Sequence, residues 1–589
     1  MKIARVIIKN YRNLTNVEVP LSDVNVIIGR NNSGKSNFLR AITLPLISED
    51  LGSVGKNLYW TDFGNECKKT YYAYLAKNLD KIKNINVSDD VMRKEFSEIV
   101  PEVSVRLEFE VDKQLEMGMD EFLVDITDKM ERIYAIEYRY SCKDYKKLLH
   151  RVIEVLKNID NPNNISNYRQ TLLPVELFSY SIMIPGKEVS VSYDSLKEFK
   201  YNSIAAERDD FSKTDSKIGS KALIQILDSK LEVDSKIQLE DNYNNFFESI
   251  KSLVNMEKII NWQESSEIVN ATEFFKHIDI LPNMPAMYTL LNNVRLGYDN
   301  DSLSMQGLGH RNLILQLVLI TSLIEARSSL LSLLTIEEPE AHLCYQNEEI
   351  MVSYINSLRN KNLQLVYATH SNKFIDKFNL DKVIIFENGK AYALGEAVDG
   401  NERAYLAKNP NLDLFKLFYS KNCILVEGIS EELLIKAYIQ KKDNSLNNIE
   451  VLSFHKGFKS IIEIWLKINK GTGNKLGIIR DFDNEEKSKS DHERYNQYKN
   501  IQVATTKKYT LEDDFVNEEN NFEILKDYFE KEHNWVDIDT PDKLSDKWKK
   551  AKAQTMYDFC MDLSSDALKE IKLPKHIQDV MDFMQNGKV

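Results

Sequence analysis

Two hydrophobic periodicities take turns along the 589-residue chain, and their order predicts most of its elements. Residues 3–9 (IARVIIK) and 24–28 (VNVII) read as strands bracketing a turn at Asn10–Asn13. The second strand runs through GRNNSGKS, residues 29–36, into NFLRAITL, whose apolar residues recur at helical spacing. Residues 103–111 (VSVRLEFEV) and 132–140 (RIYAIEYRY) alternate as antiparallel strands do, and 177–193 predicts a further pair. From about 207 to 275 apolar residues fall at spacings of three and four with charges between, which predicts amphipathic helices. Two helices of about 30 residues would reach only about 45 Å. The segment therefore reads as a compact insertion, either a dimerisation or docking element or a lid packed on its own domain. Strands return at SLLTIEE (332–338) and LQLVYAT (363–369). After a linker around 398–412, strand–turn–helix patterning restarts in NCILVEGISEELLIKAYI, LGIIRDFD and VATTKKYTLEDDF.

Length and composition narrow the class. A chain of this length is expected to divide into three or four domains of about 100–200 residues. Its 43% hydrophobic and 28% charged content is ordinary for globular protein. No apolar run approaches the roughly 18–20 residues that span a bilayer, and the N-terminus lacks a signal-peptide core. Cys67, Cys142, Cys344, Cys423 and Cys560 lie far apart, suggesting neither a zinc knuckle nor a disulfide framework. A cytoplasmic protein with no membrane partner is expected. The net charge of −13 argues against broad adhesion to DNA, though not against a local site. Lys507-Lys508 and Lys547–Lys552 are the basic runs that could hold a phosphate backbone; a solvated helix face is the plainer reading of each.

The strongest chemical motif is Gly-x-x-x-x-Gly-Lys-Ser between a predicted strand and helix. Gly29 and Gly34 let the loop close around phosphates, Lys35 can reach the β- and γ-phosphates, and Ser36 can ligate Mg²⁺. Asn31, Asn32, Ser33 and Asn37 complete the expected ATP-binding loop. The opening, IKNYRNL followed by NVIIGRNNSGKSNFLRAI, resembles ABC-type ATPase heads of the RecF and SMC kind. That resemblance implies a second half of the site far downstream, and IEEPEAHL supplies it. Glu337 would hold Mg²⁺ through water, Glu338 would polarise the attacking water, and His370 would be the switch histidine near the γ-phosphate. Such heads carry a Leu-Ser-Gly-Gly signature that caps the nucleotide of a partner head. Here SLSMQGLGH departs from it, and Ser304, Gly307 and Gly309 are the candidates for that role, with Gly-x-Gly opening a helix.

The last third is acidic at its predicted strand ends. Glu427 ends one strand and Glu431 follows in the next helix's first turn; Asp481 and Asp483 end a second. Glu512 and Asp514 are read in the same i, i+2 relation at the end of a third. Hard oxygen ligands suit Mg²⁺ or Mn²⁺ rather than zinc. Glu-Gly followed by a strand ending in Asp-x-Asp resembles the Toprim fold of topoisomerases, primases and nucleases. Head and Toprim together resemble the OLD (overcoming lysogenization defect) family of ATP-coupled nucleases, which includes the Gabija nuclease subunit and retron-associated effectors. The resemblance covers nearly the whole chain and is weakest over about 45–275. It implies that Glu427, Glu431, Asp481, Asp483, Glu512 and Asp514 hold two metal ions. It matches a glycine turn to Gly457 and a catalytic lysine to Lys552, with Lys549 and Lys550 as rivals.

The expectation is thus an α/β protein: an ABC-type ATPase N-terminal lobe over 1–205, a helical insertion over 206–275, the ATPase C-terminal lobe over 276–405, and a Toprim domain over 413–589. The function implied is an ATP-regulated, metal-dependent DNA endonuclease in antiphage defence, with Glu427 and Lys552 catalytic and a third metal ion at the nucleotide. A homodimer or dimer of dimers is expected, with a separately encoded helicase-like subunit or retron reverse transcriptase as partner. A non-cleaving RecF- or SMC-like clamp and a topoisomerase- or primase-like enzyme are the alternatives. No zinc module and no domain presenting a nucleophilic tyrosine speaks for the latter.

Overall fold

The computed structural model describes the chain except residues 49–55, 84–89, 127–131, 160, 188, 206–216, 254–293, 295, 326–329, 359–362, 376, 398–399, 401–414, 442–445, 447, 455–457, 483–484, 566–567, 569 and 588–589. Two compact units divide it: residues 1–45, 55–191 and 366–589 form one, and 46–54 with 192–365 form the other.

In the first unit an antiparallel sheet runs Leu14–Pro20, Lys2–Tyr11, Val103–Glu110, Arg132–Cys142, Phe178–Ile184 and Val189–Ser190 in spatial order, with Leu123–Ile126 also on the Arg132 strand. The alternating burial of Lys2–Tyr11 follows the side-chain period of two. Leu14–Pro20 is a strand where the pattern predicts none; Asn10 and Arg12, at φ 59° and 51°, turn the chain back on itself there. A hairpin therefore precedes the phosphate loop, rather than a simple turn. Val24–Gly29 is buried at every position and pairs in parallel with Val383–Glu387, which pairs with Lys390–Ala393. Burial on both faces is why VNVIIG reads as a continuous apolar run.

The C-terminal part of this unit is a four-stranded parallel sheet in the order Ile449–Ser453, Asn422–Val426, Lys475–Arg480, Ile501–Thr505. Its core joins these strands to Trp548, Phe559 and the helix Lys575–Asn586. That helix lies so close to Gly477 that a Cβ there would meet Val580 at 2.5 Å. Lys475 Nζ donates to the carbonyls of Phe583 and Met584 at 3.2 and 2.8 Å, satisfying the helix C-terminus. All four parallel strands deliver their C-terminal ends to one edge, where Glu427 and Asp481 follow adjacent strands.

The second unit pairs Phe199–Ile204 in parallel with Leu331–Glu337 and Ile47–Ser48. Helices Lys217–Lys230 and Val233–Leu253 occupy the part of the predicted insertion that is described, and Leu308–Glu325 packs against the first of them. Among the described residues no helix is long and apolar enough to cross a membrane.

Candidate functional site

The phosphate loop forms because its glycines take conformations closed to other residues: Gly29 has φ 144° and Gly34, the cap of helix Lys35–Thr43, has φ 121°. Asn31 and Asn32 are exposed on the turn, with Asn32 at φ 62°. Lys35 is buried and donates from Nζ to the carbonyls of Gly29 and Arg30 at 2.7 and 2.9 Å. Ser33 Oγ is buried without a hydrogen-bond partner, and Ser36 is exposed in the helix's first turn. An orphaned hydroxyl, a lysine and a helix N-terminus on one loop fit the phosphates of a nucleotide. Asn37 instead holds the hairpin corner, accepting from Arg12 at 2.8 Å and donating to Asn13 at 2.8 Å.

The loop is tied down by a residue the sequence did not single out. Arg30 donates from Nε and Nη2 to the two oxygens of Glu387 at 3.1 and 2.5 Å. Glu387 is 4% exposed, and its Oε1 also accepts from Asn474 Nδ2 at 3.1 Å. Asn474, 3% exposed and bonded to Asn469 at 2.6 Å, immediately precedes the strand Lys475–Arg480, which leads to Asp481. A half-buried bridge thus joins the phosphate loop to the root of the strand that leads to Asp481.

The other nucleotide candidates lie as follows. In the second unit, Glu337 ends the strand Leu331–Glu337, and Glu338 beyond it is exposed with φ 47°. Ser304 lies in the 3₁₀ turn Leu303–Met305, its side chain outside the described residues; Gly307 is exposed before helix Leu308–Glu325. Gly309 is pressed against the chain, since a Cβ there would sit 2.7 Å from the His342 carbonyl. In the first unit, His370 is exposed just past the strand ending at Ala368, its ring 5.6 Å from that of Tyr419.

At the acidic edge, strand Asn422–Val426 ends before Glu427, and helix Ile429–Lys441 begins two residues later with Glu431 buried in its first turn. Gly428 leaves room for the Glu431 carboxylate, since a Cβ there would lie 2.7 Å from Glu431 Oε2. Strand Lys475–Arg480 runs alongside with Val426 opposite Ile479, so Glu427 and Asp481 emerge from adjacent strand ends. Arg480, 4% exposed, places Nε 3.6 Å from Glu427 Oε1; no signal but its place before Asp481 pointed to it. Asp483 and Gly457 lie outside the described residues, and among those described no three His, Cys, Asp or Glu side chains form a closed metal-binding group. Glu427, Glu431 and Asp481 are nevertheless donors of the hardness a divalent cation requires.

The TLEDDF reading needs correction. Strand Ile501–Thr505 ends earlier, and Leu511–Val516 is a helix opened by a reciprocal Thr510–Asp513 capping box. Glu512 and Asp514 therefore do not share one side of an extended segment. Glu512 is buried, while Asp514 accepts the amides of Lys507 and Lys508 at 2.7 and 2.8 Å and lies 3.1 Å from His576 Nδ1. These bonds turn the Asp514 carboxylate into the 507–508 turn. Burial works to raise its pKa, but His576 and the two amides outweigh it and hold the group below its ordinary range. Lys549 is likewise engaged, donating to Asp513 at 2.9 Å. Lys552 belongs to helix Pro541–Asp562, its side chain outside the described residues.

Residues 1–375 match the AAA ATPase domain family, and residues 418–483 match the overcoming lysogenization defect protein-like TOPRIM domain. The chain is 21% identical over 494 residues to endonuclease GajA of Bacillus cereus (strain HuB5-5), covering 73% of this chain and 66% of that protein's length. Among solved structures, an SMC head bound to the C-terminal winged-helix domain of ScpA aligns at 15% identity with a TM-score of 0.32, covering 66% of this chain and 96% of that one. The SMC head domain from Thermotoga maritima aligns at 12% identity with a TM-score of 0.27, covering 66% and 97%.

Proposed function

The chain belongs to the AAA ATPase domain family, and from that premise we propose that it is an ATP-regulated, divalent-metal-dependent DNA endonuclease of the overcoming lysogenization defect type. The observation that carries the reading is the delivery of Glu427, Glu431 and Asp481 to one edge of a parallel sheet, behind a phosphate loop. Mg²⁺ or Mn²⁺ held there, with Asp483 and Glu512 as further ligands, would supply an activated water and charge stabilisation at the scissile phosphate. Arg480 offsets the charge of Glu427 and orients it, and the Gly428 turn brings Glu431 close. Lys552 would serve as the cation that offsets charge on the phosphate, as the family resemblance implies. At the phosphate loop Lys35 would hold the phosphates and Ser36 the Mg²⁺, and the roles read for Glu337, Glu338 and His370 in hydrolysis rest on the family resemblance.

Support for regulation comes from the Arg30–Glu387–Asn474 bridge, through which a change in the phosphate loop reaches the strand bearing Asp481. The relative's name, an endonuclease, supports a nuclease reading with DNA as substrate; an antiphage role, a homodimer or dimer of dimers and a separately encoded partner are proposed on the family resemblance alone. The test is plasmid cleavage by the full chain with Mg²⁺, Mn²⁺ or Ca²⁺, with and without ATP and a nonhydrolysable analogue. Asp481→Ala is expected to abolish nicking while ATP binding persists. Nicking at the parent rate by that variant overturns the carboxylate assignment; cleavage indifferent to nucleotide removes the regulation and leaves the nuclease standing.

A further inference from the structure

Away from both acidic edge and phosphate loop, a cavity of about 480 Å³ opens between helix Asn65–Lys77, the turn Trp60–Asp62 and the segment Pro162–Arg169. Its volume is in the range of small-molecule sites. One wall is the indole of Trp60, held from two sides. Its Nε1 donates to Tyr72 Oη at 3.0 Å, and that hydroxyl donates in turn to the Arg169 carbonyl at 2.7 Å. Lys68 Nζ lies 4.0 Å from the ring centroid. The floor is apolar, with Ile165 buried beneath it.

The charges lining this cavity are not balanced within it. Lys68 is only 6% exposed and donates from Nζ to the Trp60 carbonyl at 3.4 Å, yet among the described residues no carboxylate oxygen lies within 4.0 Å of its ammonium. Asp62, the acid of the neighbouring turn, is taken by Arg12 at 2.8 Å. Exposed Arg169 also has no carboxylate within 4.0 Å among the described residues, whereas Lys69 is paired with Glu66 at 2.9 Å. Burying an ammonium without a counter-charge is costly, and a pre-formed cation pair beside an immobilised aromatic face is built for an anion carrying a ring. Burial lowers the Lys68 pKa; Cys67 and Asp62 oppose it only in part, and the charge of Arg169 adds a smaller lowering, so a ligand anion would favour the charged ammonium.

We propose that this cavity binds a nucleobase with its adjacent phosphate, the base on Trp60 and the phosphate between Lys68 and Arg169. Indole stacking suits any base, and a guanidinium with an ammonium suits a phosphate. A free nucleoside monophosphate and a nucleotide of single-stranded DNA present the same chemistry, and the experiment separates them.

The full chain carrying Lys35→Ala, which disables the phosphate loop, is titrated calorimetrically with deoxyadenosine monophosphate, a short oligodeoxyadenylate and inorganic phosphate. The nucleotide ligands should bind and phosphate alone should bind far more weakly. Arg169→Glu and Lys68→Met should each weaken nucleotide binding roughly tenfold or more, the loss of a charge-assisted hydrogen bond. Lys146→Glu, an equal charge change at an exposed site off the cavity, should have no effect. Monophosphate binding alone identifies a free nucleotide as ligand; oligonucleotide binding with the same sensitivity identifies a DNA strand. Because Arg169 is exposed, its replacement spares the fold. Binding of neither ligand, or binding unchanged by Arg169→Glu, overturns the proposal.

Discussion

Two single residues show how much chemistry rests on backbone conformation. Gly428 leaves room for the Glu431 carboxylate, which a Cβ would approach to 2.7 Å. The obstructed atom is the end of a flexible side chain, so Gly428→Ala should fold with nearly parental thermal stability. Its carboxylate would be displaced, and cleavage should need roughly tenfold more divalent cation, a loss of about 1.4 kcal/mol in binding. A metal titration of nicking rates checks this, and an unchanged midpoint refutes it. Glu338 stands at φ 47°, where an L-residue is strained by about 1–2 kcal/mol. Glu338→Gly relieves that strain and Glu338→Ala does not. Both should lose ATP hydrolysis, while the glycine variant should be the more stable by about 1 kcal/mol in denaturant melts. Equal stabilities would show the strain to be absent.

At the scale of elements, local sequence signals compete with long-range ones. TLEDDF looked like the end of a strand because VATT precedes it, yet Thr510 and Asp513 form a capping box that starts a helix. That signal was legible, since Thr-x-x-Asp is a helix start. What could not be read is the anchoring of Asp513 by Ser545 and Lys549, from a helix more than thirty positions away. Lys56 is a similar tie. Its Nζ donates to the Leu44 carbonyl at 2.6 Å, at the C-terminal end of the phosphate-loop helix, and its own carbonyl accepts from Tyr138 at 2.6 Å. Burial pushes its pKa from 10.5 down to about 8. Below about 8 the folded chain carries an ammonium it disfavours. Between about 8 and 10.5 the unfolded chain binds the extra proton, so this group's contribution makes stability rise with pH. Lys56→Met should flatten that rise in denaturant melts taken across the interval; the same slope in both proteins would contradict it.

At the scale of the molecule, the question is how nucleotide and nuclease chemistry are joined. Within the first unit the Glu387 and Asn474 members of the Arg30–Glu387–Asn474 bridge are buried, and removing one partner strands the others' polar groups. Asn474→Ala keeps the Arg30–Glu387 pair but cuts the link to the acidic strand. It should leave ATP hydrolysis near the parental rate and make plasmid cleavage insensitive to added ATP. Cleavage by this variant that still responds to ATP as the parent does would place the coupling elsewhere.

What the sequence by itself determined is what short range determines. The phosphate loop, the strand before Glu337, the Glu427 turn and the strand into Asp481 are each written in fewer than about twenty consecutive residues. There, glycine freedom, apolar runs and chain direction leave little choice. The ATPase and Toprim resemblance rests on those stretches, and the family matches fall on them. Tertiary structure alone decided which charges meet. Arg30 finds a partner 357 positions away, Lys549 serves Asp513, Asp514 faces a turn and His576, and Lys68 lines a cavity with no carboxylate among its described lining residues. No periodicity encodes such pairings, because a buried charge is satisfied by whichever partner the packed chain brings within hydrogen-bond reach.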